Sequence, residues 1–419
     1  MVSFADGMGK AKAEGASHST CHDASTAALV GDGPQILGCD ILRRIMKRTK
    51  LFSTLAGSLL LLVLPLAAPA QVSATQIDAI FASMKSNNAP GAAVFVVHNG
   101  QVEFGQGYGV TDLRTQHKID PETNFRLASF TKQFTAACII LLVRDGKLHY
   151  DDHLTDIFPE FPAYGKSITV RNLLNHTSGL PDYEDVLMKQ YPNTPDEKIP
   201  QILDAGVLKL LEQQSSGKFA PGSKWEYSNS GYAALAMIIE KVSGKSYGQF
   251  LQERIFVPLK MNNTLAYEKG KNEVPHRAYG HTQTDGTWHE TDQSPTSAVL
   301  GDGGIYSSID DLAKWDRALG DHSLLTEAEM QPALTAVEPT DGPAKFPDGP
   351  SVSYGFGWFV DPYKGHKRMS HDGNTIGFRT TIQRFPDDKL TIIILANRSD
   401  ADPQALALKV ADLYLGTKP

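Results

Sequence analysis

The sequence predicts a mixed α/β (α+β) fold: an antiparallel sheet built from both chain ends, with flanking helices and a mainly helical inserted lobe. Three observations carry this expectation. Near the start, Gly91-Ala92-Ala93-Val94-Phe95-Val96-Val97 reads as a strand, His98-Asn99-Gly100 as a tight turn and Gln101-Val102-Glu103-Phe104-Gly105 as the returning strand, because Asn-Gly suits a two-residue hairpin. Near the end, residues 377–385 and 390–396 form a second hairpin across Pro386-Asp387-Asp388. Between them the apolar spacing is helical. Isolated hairpins are marginal in water, so the simplest arrangement joins both into one sheet with helices on its faces.

The stretch at 126–144 is the centre of this plan. Phe130, Phe134, Ala137, Cys138 and Leu141 fall at helical spacing, and Ile139, Ile140 and Val143 make the other faces apolar too, so a buried helix is expected. Asp145-Gly146 ends it, glycine suiting the left-handed closing position. Residues 76–86 read as a short amphipathic helix. Further helices are expected at 170–176, 199–214, 230–242, 247–255 and 404–415, and Ser308-Ile309-Asp310-Asp311 caps another running to Leu319. Residues 338–350, rich in Pro, Gly and Asp, read as an exposed loop. On this plan residues 71–145 and 296–419 make the sheet domain, 146–295 the helical lobe, and a site lies between them.

The beginning of the chain carries a different signal. Arg43, Arg44, Lys47, Arg48 and Lys50 form a positive patch, residues 51–66 an apolar run and Ala68-Pro69-Ala70 a small-residue cleavage site, the pattern of a secretory signal peptide. A membrane anchor is the alternative, against which Pro65 and the cleavage triplet argue. Met46 opens the peptide, so 46–70 is assigned to the signal and 1–45, Gly/Ala/Ser-rich and without periodicity, to a non-native or disordered extension. The expected destination is the periplasm or the exterior.

Of the 40 basic and 47 acidic residues, 7 and 5 precede position 71, leaving a net charge of −9 on the exported part. Such a surface does not suit nucleic acid or an acidic membrane. Of three cysteines only Cys138 lies beyond the cleavage site, so an intramolecular disulfide is excluded there and the thiol is expected to be packing.

Ser129 and Lys132 stand at the head of the buried helix, three residues apart and on one face. A hydroxyl and an amine so placed point to a serine nucleophile with a lysine base, helped by the peptide dipoles at the helix start. Only the free amine can act as a base, and burial disfavours the charged form. The plainer alternative makes Ser129 an N-cap and Lys132 a solvated charge. Ser215-Ser216-Gly217-Lys218 has the same spacing in a loop with no helix to hold it.

Two later segments add candidates. Tyr227-Ser228-Asn229 runs from a turn into a helix and offers a phenol for proton relay and an amide for a substrate carbonyl, although Tyr191-Pro192-Asn193 repeats the spacing in a plain loop. His371-Asp372-Gly373-Asn374 precedes the last hairpin. On a strand edge Gly373 would admit a substrate backbone and His371 would project into the cleft beside it, whereas His98-Asn99-Gly100 is explained as a turn.

As an ordered set, Ser-x-x-Lys on a helix, Tyr-x-Asn on a loop and His-x-Gly on a late strand resemble the class C β-lactamase and D-alanyl-D-alanine carboxypeptidase family of serine hydrolases, related to penicillin-binding proteins. The resemblance runs from residue 78 to residue 415 and takes in flanking phrases at 168–180, 255–261 and 303–307. It implies a β-lactamase/transpeptidase-like fold and an acyl-serine mechanism with no cofactor and no metal. It makes Ser129 the nucleophile, Lys132 its base, Tyr227 the proton relay, Asn229 the group that orients the substrate amide, and His371 the occupant of the strand lysine's place. The oxyanion hole would be the N–H groups of Ser129 and Asn374, where one lost donor costs roughly 3 kcal/mol of barrier.

His-Asp-Gly departs from the Lys-Thr-Gly or Lys-Ser-Gly usual in penicillin-hydrolysing members. If Asp372 faces the site, it repels a substrate carboxylate about 4 Å away by roughly 1 to 4 kcal/mol. The expected substrate is therefore a small ester, amide or peptide, with a true β-lactamase or D-Ala-D-Ala carboxypeptidase as the alternative. A non-catalytic peptidoglycan- or partner-binding protein on the same fold is the rival from another class; it should have lost the serine or lysine. Gly244-Lys245-Ser246-Tyr247-Gly248 matches another hydrolase elbow, but no strand precedes it and Ser246 with Gln249 reads as a capping box. His276, His281 and His289, or His366 with His371, lack metal-site spacing.

Overall fold

The computed structural model describes residues 72–346, 349–416 and 418. The expected signal segment, the 1–45 extension, Cys21 and Cys39 lie outside the described residues. Those described belong to one compact unit.

Five strands form the principal sheet: β1 (Ala92–His98), β2 (Gln101–Tyr108), β3 (Met369–Thr375), β4 (Phe378–Phe385) and β5 (Leu390–Ala396). Their order is β2-β1-β5-β4-β3, antiparallel throughout, so the two ends of the chain meet where β1 pairs β5 with Val94 opposite Ile394. The first hairpin closes as its sequence predicts, with Asn99 and Gly100 both at positive φ (53° and 74°).

Alternation assigns the two faces. Val94, Val96, Ile392 and Ile394 point to one side, where α1 (Ala74–Ile80) contributes Ile77 and the C-terminal helix at Pro403–Tyr414 contributes Ala407, Val410 and Ala411. Ala93, Phe95, Ile393 and Leu395 point to the other side and join the main core. The middle of that core is α2 (Lys132–Arg144), buried at all residues from Lys132 to Leu142, and Gly146 closes it at φ 67°. Around it lie α3 (Tyr183–Gln190), α4 (Asp204–Glu212), α5 (Asn229–Ser243) and α6 (Ile309–Asp321); the C-terminal helix is α7. Each fully buried Leu, Ile or Phe here contributes about 1.5–3 kcal/mol relative to exposure.

Several elements depart from expectation. The helix expected at 199–214 starts at Asp204, because Ile202 is drawn into a backbone hydrogen bond with Pro295 and Gln201 bonds to Gln293 and Ser294. The helix at Tyr247–Leu251 widens into a π-helical turn over Gln252–Phe256. The structure adds a small sheet of Phe125–Arg126, Ile305–Ser307 and Leu265–Ala266, the hairpin of His281–Thr284 with Thr287–Glu290, and α3 to the expected elements.

Candidate active site

Ser129 lies in a single helical turn, Ala128–Thr131, that leads into α2. The turn is anchored on both sides of the preceding residue: Leu127 N–H donates to Ile305 O at 2.8 Å, and Thr380 Oγ1 donates to Leu127 O at 2.8 Å. Ala128 has φ 50°, a left-handed conformation that costs a non-glycine residue roughly 1 kcal/mol or more and is held here by the surrounding contacts.

The Lys132 side chain is 0% exposed, and its Nζ lies 3.0 Å from Ser129 Oγ, 2.8 Å from Asn229 Oδ1 and 2.9 Å from the Asp302 carbonyl oxygen. Asn229, the first residue of α5, turns its other amide atom outward, Nδ2 donating to Glu184 Oε1 at 3.3 Å. The Asp302 carbonyl is presented by a short turn whose Leu300 and Gly301 N–H groups both donate to buried Asp204, at 2.8 and 3.0 Å. The Asp302 carboxylate accepts from Tyr183 Oη at 2.9 Å; burial pushes its pKa up, against the pull of Lys132. Neither Asp302 nor Glu184 was singled out from the sequence; a carbonyl 170 residues from the lysine carries no local signal.

Tyr227 packs its ring 5.0 Å from Lys132 Nζ, and its hydroxyl makes no hydrogen bond among the described residues. The ring is set by His176. The residues on either side of Tyr227 both donate N–H groups to this histidine, Glu226 to its carbonyl at 2.9 Å and Ser228 to its Nδ1 at 3.1 Å, and the two rings pack with centroids 4.4 Å apart, tilted by 38°. His176 is fully buried and burial holds its pKa well below the ordinary value, with Lys132 and His371 adding to the fall. Because Nδ1 accepts, the proton of the neutral ring sits on Nε2. The sequence phrase around His176 marks the family resemblance but gives the residue no role of its own.

The β3 strand corrects two expectations. His371 does not enter the cleft as a free imidazole: it is buried, its Nδ1–H donates to the Asp372 carbonyl at 2.8 Å, and Tyr354 Oη donates to its Nε2 at 3.1 Å. Burial and Lys132 push its pKa down to about 3, so the ring is neutral and offers no charge in the strand lysine's place. Asp372 points to the opposite face, where Thr381 Oγ1 and Gln404 Nε2 donate to its carboxylate at 2.6 and 2.9 Å. At Gly373 a Cβ would meet the Leu127 carbonyl, so the close contact between β3 and the serine turn itself requires glycine there.

Asn374 is exposed near the end of β3, the edge strand. Ser370 exchanges both backbone hydrogen bonds with Phe359 on the strand's outer side, so by alternation the N–H of Asn374 points to that side as well. Ser246, the rival serine, caps its own helix by accepting from Gln249 N–H.

The chain as a whole is similar to known proteins. Residues 77–415 match the Beta-lactamase family. The chain is 32% identical to penicillin-binding protein 4* of Bacillus subtilis (strain 168) over 82% of its own length and 76% of that protein's. It is 29% identical to a D-aminopeptidase of Brucella canis over 81% of its length, and spans 62% of that protein. The solved octameric penicillin-binding protein homologue from Pyrococcus abyssi superposes with a TM-score of 0.72 at 26% identity, over 83% of this chain and 78% of that one. A match of this extent, together with the relatives' agreement, establishes that the chain belongs to the Beta-lactamase family of serine hydrolases.

Proposed function

We infer that the protein hydrolyses a small ester or amide through an acyl-serine intermediate, with Ser129 as nucleophile and Lys132 as its base. The observation that carries this is the set of three partners around Lys132 Nζ. A neutral amine has two N–H groups and one lone pair. In the neutral form that acts as a base, the oxygens of Asn229 and Asp302, which can only accept, would take the two N–H groups and leave the lone pair for the Ser129 hydroxyl 3.0 Å away, which can donate.

In the first step Ser129 Oγ bonds to the substrate carbonyl carbon as its proton passes to Lys132 Nζ. The carbon–heteroatom bond then breaks, and the leaving group takes a proton by way of the Tyr227 hydroxyl. In the second step water adds to the acyl ester, Ser129 regains its proton, and a carboxylic acid leaves. Asn229 orients the acyl part, and the N–H groups of Ser129 and Asn374 donate to the oxyanion, a contribution of about 3 kcal/mol per donor. The neutral, occupied imidazole of His371 favours substrates without a carboxylate at that place, and the likeness to a D-aminopeptidase supports an aminoacyl amide among them. The charge and apolar pattern of residues 46–70 supports export to the periplasm or beyond.

A fluorophosphonate probe tests the assignment. It should label the wild-type protein and the Ser129→Ala variant should lose the label, whereas Ser246→Ala should keep it. Undiminished labelling of Ser129→Ala would refute the reading.

A further inference from the structure

The acyl-serine chemistry set out above uses the carbonyl of Asp302 and leaves its side chain without a part. That side chain is buried, and its one hydrogen-bond donor among the described residues is the Tyr183 hydroxyl at 2.9 Å. The charge that acts most strongly on it is Lys132. A single residue therefore meets the amine twice, by a hydrogen bond through its carbonyl and by charge through its carboxylate. Burial opposes ionisation of this carboxyl, whereas Lys132 and the Tyr183 hydroxyl favour it.

The reaction calls for such a charge. As Ser129 Oγ bonds to the substrate carbonyl carbon, its proton passes to Lys132 Nζ, and a neutral amine becomes an ammonium at a position with no exposure to water. An ammonium buried without a counter-charge is costly, and an anion already in place offsets that cost without reorganisation during the step. The other acids facing Asp302 are Asp182 and Glu184, from the cap and first turn of α3, and Asp204 of α4; Arg126 of the small sheet is the second cation. Asp204 is engaged by the N–H groups of Leu300 and Gly301 and Glu184 by Asn229 Nδ2, and burial pushes both up to about 7, so each carries only part of a charge near neutral pH. The remaining neighbours are phenols and neutral imidazoles. Tyr227 and Tyr232 place their rings 5.0 and 5.4 Å from Lys132 Nζ, Tyr247 lies within the field of Asp302, and burial keeps His176 and His371 uncharged.

We propose that the Asp302 carboxylate is the fixed counter-charge of Lys132, a positioning residue that acts through the amine: it sets the pH at which Lys132 becomes a free base and steadies the ammonium formed as the serine attacks. This rests on the acyl-serine reading above.

The test follows the rate of fluorophosphonate labelling against pH in wild type, Asp302→Asn, Glu184→Gln and Asp204→Asn. Asp302→Asn removes the charge and keeps the backbone carbonyl. An anion holds the proton on Lys132 to higher pH, so without it the labelling rate should rise at a pH lower by about one unit or more, and should level off about tenfold or more below wild type. The other two variants should move the midpoint less. Lost packing alone would lower the plateau at an unchanged midpoint; that result overturns the proposal, as does an upward shift, or a larger shift in Glu184→Gln or Asp204→Asn. The reciprocal reading, which decides the matter if Asp302→Asn does not fold, is taken by NMR on protein isotope-labelled at the aspartate carboxyls. Coupling between two charges is mutual, so in Lys132→Met the Asp302 carboxyl should titrate about one pH unit or more above its wild-type position. An unmoved Asp302 titration overturns the proposal. Absence of labelling in wild type overturns instead the acyl-serine reading on which it stands.

Discussion

Gly373 lies so close to Leu127 that a Cβ at this position would stand 2.0 Å from the Leu127 carbonyl oxygen and 2.2 Å from Thr380 Oγ1. The strand edge and the serine turn are therefore in direct backbone contact. Leu127 is already fixed by Ile305 and Thr380, and Ser129 follows two residues later, so any addition at 373 has to move the strand, the turn or both.

Gly373→Ala should therefore lose stability and activity together. Overpacking of this kind costs about 1–3 kcal/mol, and a displacement of about 1 Å at a reacting group can cost about a hundredfold in rate. Urea unfolding and kcat/KM on a short-chain p-nitrophenyl ester measure the two effects. Wild-type kinetics in a destabilised variant would mean that the contact supports the fold without setting the serine.

His371 predicts a pH dependence of stability. Its folded-state pKa, about 3, lies below the ordinary 6.5, so the unfolded chain binds the extra proton first as pH falls. The contribution is whole above pH 6.5 and is lost downward toward pH 3, at about 1.4 kcal/mol per pH unit. His176 and His281 act in the same direction, while the buried carboxyls of Asp204 and Glu184, pushed up to about 7, act in the opposite one. A comparison with His371→Gln isolates the single group. The variant should lose about 2 kcal/mol less than wild type between pH 7 and pH 5 in urea titrations. Parallel losses would mean that the imidazole is already charged in the folded protein.

Local chemistry made much of this molecule legible. Asn99-Gly100 sets a hairpin whichever strands it joins, Ser246 with Gln249 caps a helix using its own turn, and the all-round apolar run about Cys138 could only be buried. The same logic was available at Asp285-Gly286, both at positive φ, where a hairpin went unread. Within the site, Ser129 and Lys132 share one helical turn, so their meeting needed no tertiary information. The positions of His371 and Asp372 did. Alternation guarantees that these neighbours face opposite sides of β3, but which side meets the serine turn depends on the layers packed against the sheet. Asp302 and Glu184 reach the site from segments whose own sequence contains nothing unusual, and His176 from a phrase that marks the family without giving the residue a role; only their folded neighbourhood gives them a task.

That facing has a direct consequence for substrate choice. Were the Asp372 carboxylate aimed into the cleft, its removal would speed reaction with a carboxylate-bearing substrate by about 5-fold to about 1,000-fold, the equivalent of 1 to 4 kcal/mol of relieved repulsion. Its actual partners are Thr381 and Gln404, on the face covered by α7, and the sheet itself stands between it and Ser129. Asp372→Asn should therefore leave the rate at which a cephalosporin protects Ser129 from the fluorophosphonate within about twofold of wild type. The variant should instead alter stability. Burial raises the folded-state pKa of Asp372 from 3.8 to about 6, so its contribution is present below pH 3.8 and is lost as pH rises through 6. Relative to wild type, Asp372→Asn should gain stability on going from pH 4 to pH 8. A large acceleration with the cephalosporin would mean that the carboxylate reaches the substrate after all, and that the discrimination against acidic substrates arises from Asp372 rather than from the uncharged His371.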